Sequence, residues 1–142
     1  MNDNLIATAT VQINASPEDV WQAITDPELI EKYYFGTRAE SDWRPGSTIT
    51  WSGEYEGKEY RDHGTILEAV PRERLVHTHF SPLTGREDVP ENYHTLTWSI
   101  TPDGEGSTVT VTQDNNHSYD EVEHSEKNWH EVLEGLKQVV ES

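Results

Sequence analysis

The residues able to move protons or hold an ion cluster in the middle of the chain: Tyr55, Asp62, His77 and His79, with His94 further on. His77 and His79 stand two apart on a probable strand and so share a face, and His94 on a later strand is a third candidate ligand for a zinc-like ion. No His pair at a metal-motif spacing accompanies them, and seven His in an acidic chain bring two close by chance. Solvated or hydrogen-bonded histidines are therefore the expectation, and no metal ligand is assigned. Tyr55, Asp62, His77 or His79 could serve as acid or base in an enclosed site, but no pair has the spacing of an acid–base device. Enzyme activity is the less favoured expectation, with no catalytic residue assigned. The chain has no Cys, no Gly-x-Ser-x-Gly elbow and no phosphate-cradling glycine loop, so covalent and phosphoryl-transfer chemistry are unsupported. No cofactor is called for.

A second set suits binding. Tyr33, Tyr34, Phe35, Trp51, Trp98 and Trp129 offer flat apolar area, although core is the commoner fate of such side chains. A dry cavity of ~300 Å³, at ~24 cal/mol per Å³, would cost about 7 kcal/mol, comparable with the whole stability of a domain. The interior is therefore either collapsed or filled by ligand or water. The expected ligand-binding set is Tyr33, Tyr34, Phe35, Trp51, His77, His79, Trp98, Trp129 and Leu133, with His77 or His79 as a polar anchor for a small, mostly apolar molecule.

The elements that must position these residues follow from periodicity. Leu5 to Ile13 alternates apolar and polar side chains from Ala7 onward, the period of a strand. Ser16-Pro17-Glu18-Asp19 supplies a capping hydroxyl, a proline at the first helical position and two acids where backbone N–H groups are unpaired. Asp26-Pro27-Glu28 repeats that logic, so two short helices follow the first strand. From Thr37 to Gln113, Thr-, Val- and aromatic-rich runs separated by Gly and Pro predict successive antiparallel strands. Ser81 to Asn92 is longer than an ordinary hairpin loop and reads as a solvated excursion more readily than a functional flap. Trp129, Val132, Leu133, Leu136 and Val140 then recur at spacings of three and four, the stripe of a long helix that must cover the sheet. The result is a two-layer α+β domain over residues 1–142, with a curved antiparallel sheet of about six or seven strands.

Composition narrows the partners. The chain has 142 residues, 27 acidic against 10 basic, and a formal charge of −17. Such a charge repels phosphate backbones and anionic membrane surfaces, so neither nucleic acid nor membrane is expected as a partner. No segment approaches the ~20 apolar residues of a spanning helix. The N-terminus lacks the features of a secretory signal, and with the lack of Cys this fits a cytoplasmic protein, monomeric or weakly dimeric. The acid excess is either an ordinary acidic surface or an adaptation to a salt-rich cytosol.

The element order resembles the SRPBCC superfamily of START-like, birch-pollen-allergen-like helix-grip proteins, and the motifs resemble its family named for the activator of the heat-shock-protein-90 ATPase. The carriers are Ile13-Asn14-Ala15-Ser16-Pro17-Glu18-Asp19-Val20-Trp21, Thr25-Asp26-Pro27-Glu28-Leu29, Tyr33-Tyr34-Phe35-Gly36, Arg44-Pro45-Gly46, Gly64-Thr65-Ile66-Leu67-Glu68 with Pro71 and Arg74-Leu75-Val76, and the run from Trp129 to Lys137. The resemblance implies a helix-grip fold with a cavity between sheet and C-terminal helix, and two alternatives to a carrier: a stress-response co-chaperone or other protein-interaction module, and a cyclase- or aromatase-like enzyme. His77 and His79 occupy positions where many members carry aromatics, and Gln113 replaces a frequent His, so a more polar pocket is expected. The eukaryotic co-chaperone engages its chaperone through a separate N-terminal domain for which this chain has no room. Chaperone activation is therefore not carried over with the fold.

Overall fold

The computed structural model describes residues 5–34, 36–82 and 85–141, and of Tyr55 the backbone alone. In chain order the elements are β1 (Leu5–Ile13), α1 (Pro17–Thr25), α2 (Pro27–Tyr33), β2 (Arg38–Ser41), β3 (Thr48–Tyr55), β4 (Lys58–Val70), β5 (Arg74–His79), β6 (His94–Asp103), β7 (Gly106–Asn116) and α3 (Tyr119–Glu141). The strands form one antiparallel, curved sheet in the order β1-β7-β6-β5-β4-β3-β2. Neighbours in sequence are thus neighbours in space, except that β1 pairs with β7. The two short helices carry the chain from one edge of the sheet to the other, and α3 packs on the same face. This is the expected α+β helix-grip architecture, with seven strands.

The local signals operate as physical chemistry dictates. Ser16 caps α1, its Oγ accepting from the Asp19 backbone N–H at 3.2 Å, and Asp26 caps α2 by accepting from Glu28 N–H at 3.0 Å. On β1 the alternation buries Ala7, Ala9, Val11 and Ile13 and leaves Ile6 outside. Glu56 and Gly57 join β3 to β4 with φ of 50° and 82°, the pair of left-handed residues a two-residue hairpin needs to match strand twist. On α3, Trp129, Val132, Leu133 and Leu136 are buried against the sheet. The described part of the excursion after Phe80 is tied down: His63 Nε2 lies 3.1 Å from Asp88, and the Phe80 and Tyr93 rings stack at 5.1 Å.

Two features of the sheet shape the site. β4 pairs with β3 over its first half and with β5 over its second, and Gly64 stands at the changeover. A Cβ there would lie 1.9 Å from the Thr78 carbonyl oxygen, so only glycine lets the strands approach this closely. At the edge of the sheet, α3 runs beside β1 and lends it acceptors: Thr8 N–H donates to Glu126 Oε2 at 3.0 Å and Asn14 N–H to Glu141 Oε2 at 2.8 Å.

Candidate functional site

His77 is the centre of the site. Its position on β5, opposite Leu96 on β6 and Ile66 on β4, turns it to the inner face, where it is 4% exposed. Its Nδ1–H donates to the Thr78 carbonyl at 3.0 Å, which leaves Nε2 as the acceptor for the indole N–H of Trp98 at 3.2 Å. Both nitrogens are thus used in the neutral form. Burial is the main reason its pKa drops to about 4, with the nearby His79 adding to the drop and the Thr78 carbonyl opposing it.

Around this imidazole lies the aromatic cleft. A half-open cavity of about 20 Å³ is lined by Ile24, Ile30, Tyr33, Tyr34, Trp43, Ile49, Trp51, Leu75, His77 and Trp98. That volume holds about one water. The Trp51 ring sits 5.1 Å from His77 and 4.9 Å from His79. Tyr33 spans the base, its hydroxyl donating to the Ala23 carbonyl at 3.0 Å, and burial raises the pKa of both Tyr33 and Tyr34 far above the phenol range. Trp43 is half-buried on the wall, with its backbone in the left-handed region at φ 57°. A bulky residue in that region is an outlier of the kind found at ligand clamps.

A polar row continues from His77 along the inner face of β4, β5 and β6. His79 Nε2–H donates to Asp62 Oδ2 at 2.9 Å, with the two side chains 22% and 16% exposed. The His79 ring stacks on His94 at 6.4 Å, and His94 Nδ1–H donates to the Asp114 carbonyl at 2.8 Å. Burial lowers the pKa of His94 as well. Asp62 Oδ1 is buried without a hydrogen-bond partner among the described residues. Gly64 makes this row possible, since its lack of a side chain lets β4 and β5 close up where Asp62 and His79 meet.

The structure thus brings together Tyr33, Tyr34, Trp51, His77 and Trp98 of the expected set, with His79 at the polar side. Trp129 stands behind them, edge-on to Trp98 at 5.6 Å and to Tyr34 at 5.8 Å. Its indole N–H is taken by Gln113 Oε1 at 2.7 Å, and the Gln113 amide in turn donates to Asn116 and Ser125. Leu133 is fully buried core and does not line the cavity. Phe35 and the Tyr55 side chain lie outside the described residues. Trp43, which precedes a predicted turn, and the pairing of Asp62 with His79 were not part of the expected binding set. The signal for Trp43 was a large aromatic directly before Arg44-Pro45-Gly46; nothing in the spacing of Asp62 and His79 marks a pair formed across two strands. Among the described residues no three His, Cys, Asp or Glu side chains converge as a metal site would need, and no helix is long and apolar enough to cross a membrane.

Comparison with known proteins places this geometry in a lineage. Curated proteins give no match. Among solved structures, the chain is similar to the solution structure of ChR145 from Cytophaga hutchinsonii, at 50% identity and a TM-score of 0.86, over 99% of this chain and 97% of that one. The solution structure of the Aha1 dimer from Colwellia psychrerythraea matches at 21% identity and a TM-score of 0.75, over 96% of both chains. The crystal structure of CalU16 from Micromonospora echinospora matches at 17% identity and a TM-score of 0.70, over 97% of this chain and 85% of that one. The latter two likenesses concern the fold alone. The model of the family described as activator of Hsp90 ATPase homolog 1-like protein covers residues 14–141, from the cap of α1 through the stripe of α3, and the chain belongs to that family.

Proposed function

We propose that the protein binds a small aromatic or otherwise largely apolar molecule in the cleft between α1, α2 and the inner face of the sheet, and that the cleft widens as the ligand enters. The observation that carries this reading is the company kept by His77. A plain core does not need a buried imidazole hydrogen-bonded to a buried indole beside a carboxylate with an unpartnered oxygen, because burying polar groups is costly and apolar residues would pack as well. Such groups gather where a ligand supplies the remaining contacts. Access lies at Trp43 and Tyr34, both half-buried. The reading requires these rings to turn outward as the ligand enters, with Tyr34 giving up its edge contact with Trp129.

The test is titration with flat aromatic and fatty probes, read by tryptophan fluorescence and by the unfolding midpoint. Saturable quenching with a raised midpoint is expected, since a ligand held only by the folded state stabilises it by mass action. Trp51→Ala should shift which probe binds best. A panel without any saturable response would overturn the reading.

A second reading is favoured by the cavity volume of about 20 Å³, well below the ~300 Å³ of an ordinary ligand pocket. It is a module that acts through its surface on another protein, and the family's name supplies one such partner, an Hsp90-type ATPase. Turnover by purified chaperone with and without this chain distinguishes the two: a rate unchanged by saturating chain excludes that partner.

A further inference from the structure

The inner face of β7 carries one residue that its alternation does not call for. Val109 and Val111 are buried on that face, and Gln113 follows at the next inward position, paired in register with Ala7 on β1 and Leu96 on β6, both buried. An amide placed there must spend its hydrogen bonds inside the protein. Gln113 Oε1 accepts the indole N–H of Trp129 at 2.7 Å, and Nε2 donates to Asn116 Oδ1 at 3.1 Å and to Ser125 Oγ at 3.2 Å. The indole can only donate, so the oxygen of the amide is the atom that faces it. Asn116 is itself held, donating to the carbonyls of Leu5 and Gln113 at 2.9 Å each. The polar network thus ties β1, β7 and α3 together and fixes the direction of a single ring.

That ring bears on the cleft. Trp129 stands edge-on to Trp98 at 87° and to Tyr34 at 78°, and both of those residues line the cavity. Trp98 in turn gives its indole N–H to His77, a third lining residue. When Tyr34 turns outward to admit a ligand, Trp129 loses one of these two ring contacts, and the hydrogen bond to Gln113 still holds its N–H. We infer that Gln113 is a positioning residue of the cleft: by holding the Trp129 indole it fixes the Trp98 ring against which a flat ligand lies, while touching no ligand itself. The inference rests on the binding reading above and names the residue that pre-forms the wall. A wall held in one orientation binds more tightly than one that must be ordered on entry, since each side chain immobilised on binding costs about threefold to tenfold in affinity.

Gln113→Met and Gln113→Glu test this on the intact chain. Methionine keeps the length and removes the acceptor, whereas glutamate keeps an oxygen for Trp129 and removes the donors to Asn116 and Ser125. The readouts are the indole N–H resonances of Trp129 and Trp98, assigned through Trp129→Phe and Trp98→Phe, and the affinity for 2-naphthol by calorimetry. In the methionine variant both resonances should move and 2-naphthol should bind about threefold to tenfold more weakly, while the glutamate variant should stay within about twofold of the wild type. A Trp129 resonance that moves alone, with Trp98 and the affinity unchanged, overturns the inference. A glutamate variant that loses as much affinity as the methionine variant overturns it too, because Gln113 would then serve only to anchor α3. Should the methionine variant fail to fold by circular dichroism, hydrogen exchange on the wild type decides: a Trp129 indole proton as protected as that of Trp98 supports the inference, and one that exchanges as fast as that of half-buried Trp43 refutes it. A wild type that leaves 2-naphthol unbound counts against the binding reading, and the two resonances then judge Gln113 by themselves.

Discussion

Acidification should destabilise this protein through His77 in a window set by that one side chain. The imidazole is 4% exposed and its folded-state pKa is about 4, whereas the unfolded chain presents an ordinary histidine near 6.5. Above about 6.5 the ring is neutral in both states and the pair contributes no pH dependence. Below it the unfolded chain takes up the proton first, so stability falls until the folded ring also protonates near pH 4. At about 1.4 kcal/mol per pH unit the full gap corresponds to about 3 kcal/mol, of which about 2 kcal/mol should be gone by pH 5. Partly buried His94 is shifted in the same direction, and the carboxylates of Glu68 and Glu141, lowered by hydrogen bonding, lose their contribution at still lower pH. The assay is therefore a difference: urea unfolding of the wild type and of His77→Gln, measured from pH 8 to about pH 4.5. The glutamine keeps an oxygen able to accept from Trp98 but has nothing to titrate. The wild type should lose about 2 kcal/mol more than the variant between pH 8 and 5. Parallel curves would refute the argument that His77 is held neutral by burial.

Leu133→Ala, at a fully buried position on the sheet-facing stripe of α3, should cost about 2–5 kcal/mol in urea unfolding, and a loss below about half a kcal/mol would mean that the helix turns another face to the core. Ser16→Ala should cost about 0.5–2 kcal/mol by removing the acceptor of the Asp19 N–H, with Ser16→Asp close to neutral in the same measurement. Gly64→Ala should cost more than about 3 kcal/mol, since its methyl meets backbone rather than a movable side chain, and circular dichroism with thermal unfolding would show a mild effect at once if β4 and β5 can part.

Much of the fold was legible because its signals are local. A hydroxyl before proline and two acids specifies the start of α1 without reference to the rest of the chain, and the spacing of Trp129, Val132, Leu133 and Leu136 specifies the buried face of α3. The site was legible only in part, because it is built across strands. His77 and His79 share a face by simple alternation, but whether that face meets Trp98, Asp62 or solvent depends on the registers of β4 with β5 and of β5 with β6. The β4–β5 register also shifts between Ile66 and Glu68, close to the tight approach at Gly64, which no periodicity announces. Trp43 shows the same limit: its role depends on a backbone turned to φ 57°, a conformation the residue type itself disfavours.

The carboxylates that α3 places against β1 also bear on whether a further strand can add to that edge. An incoming strand at that edge must first displace Glu126 and Glu141 from backbone donors they already satisfy, and must do so beside a helix that occupies its space. The opposite edge is protected by other means: β2 is four residues long, exposes the charges of Arg38 and Glu40, and has α2 packed against it. Strand addition at β1 is therefore opposed by helix packing, without any proline or lysine stationed on the edge strand itself.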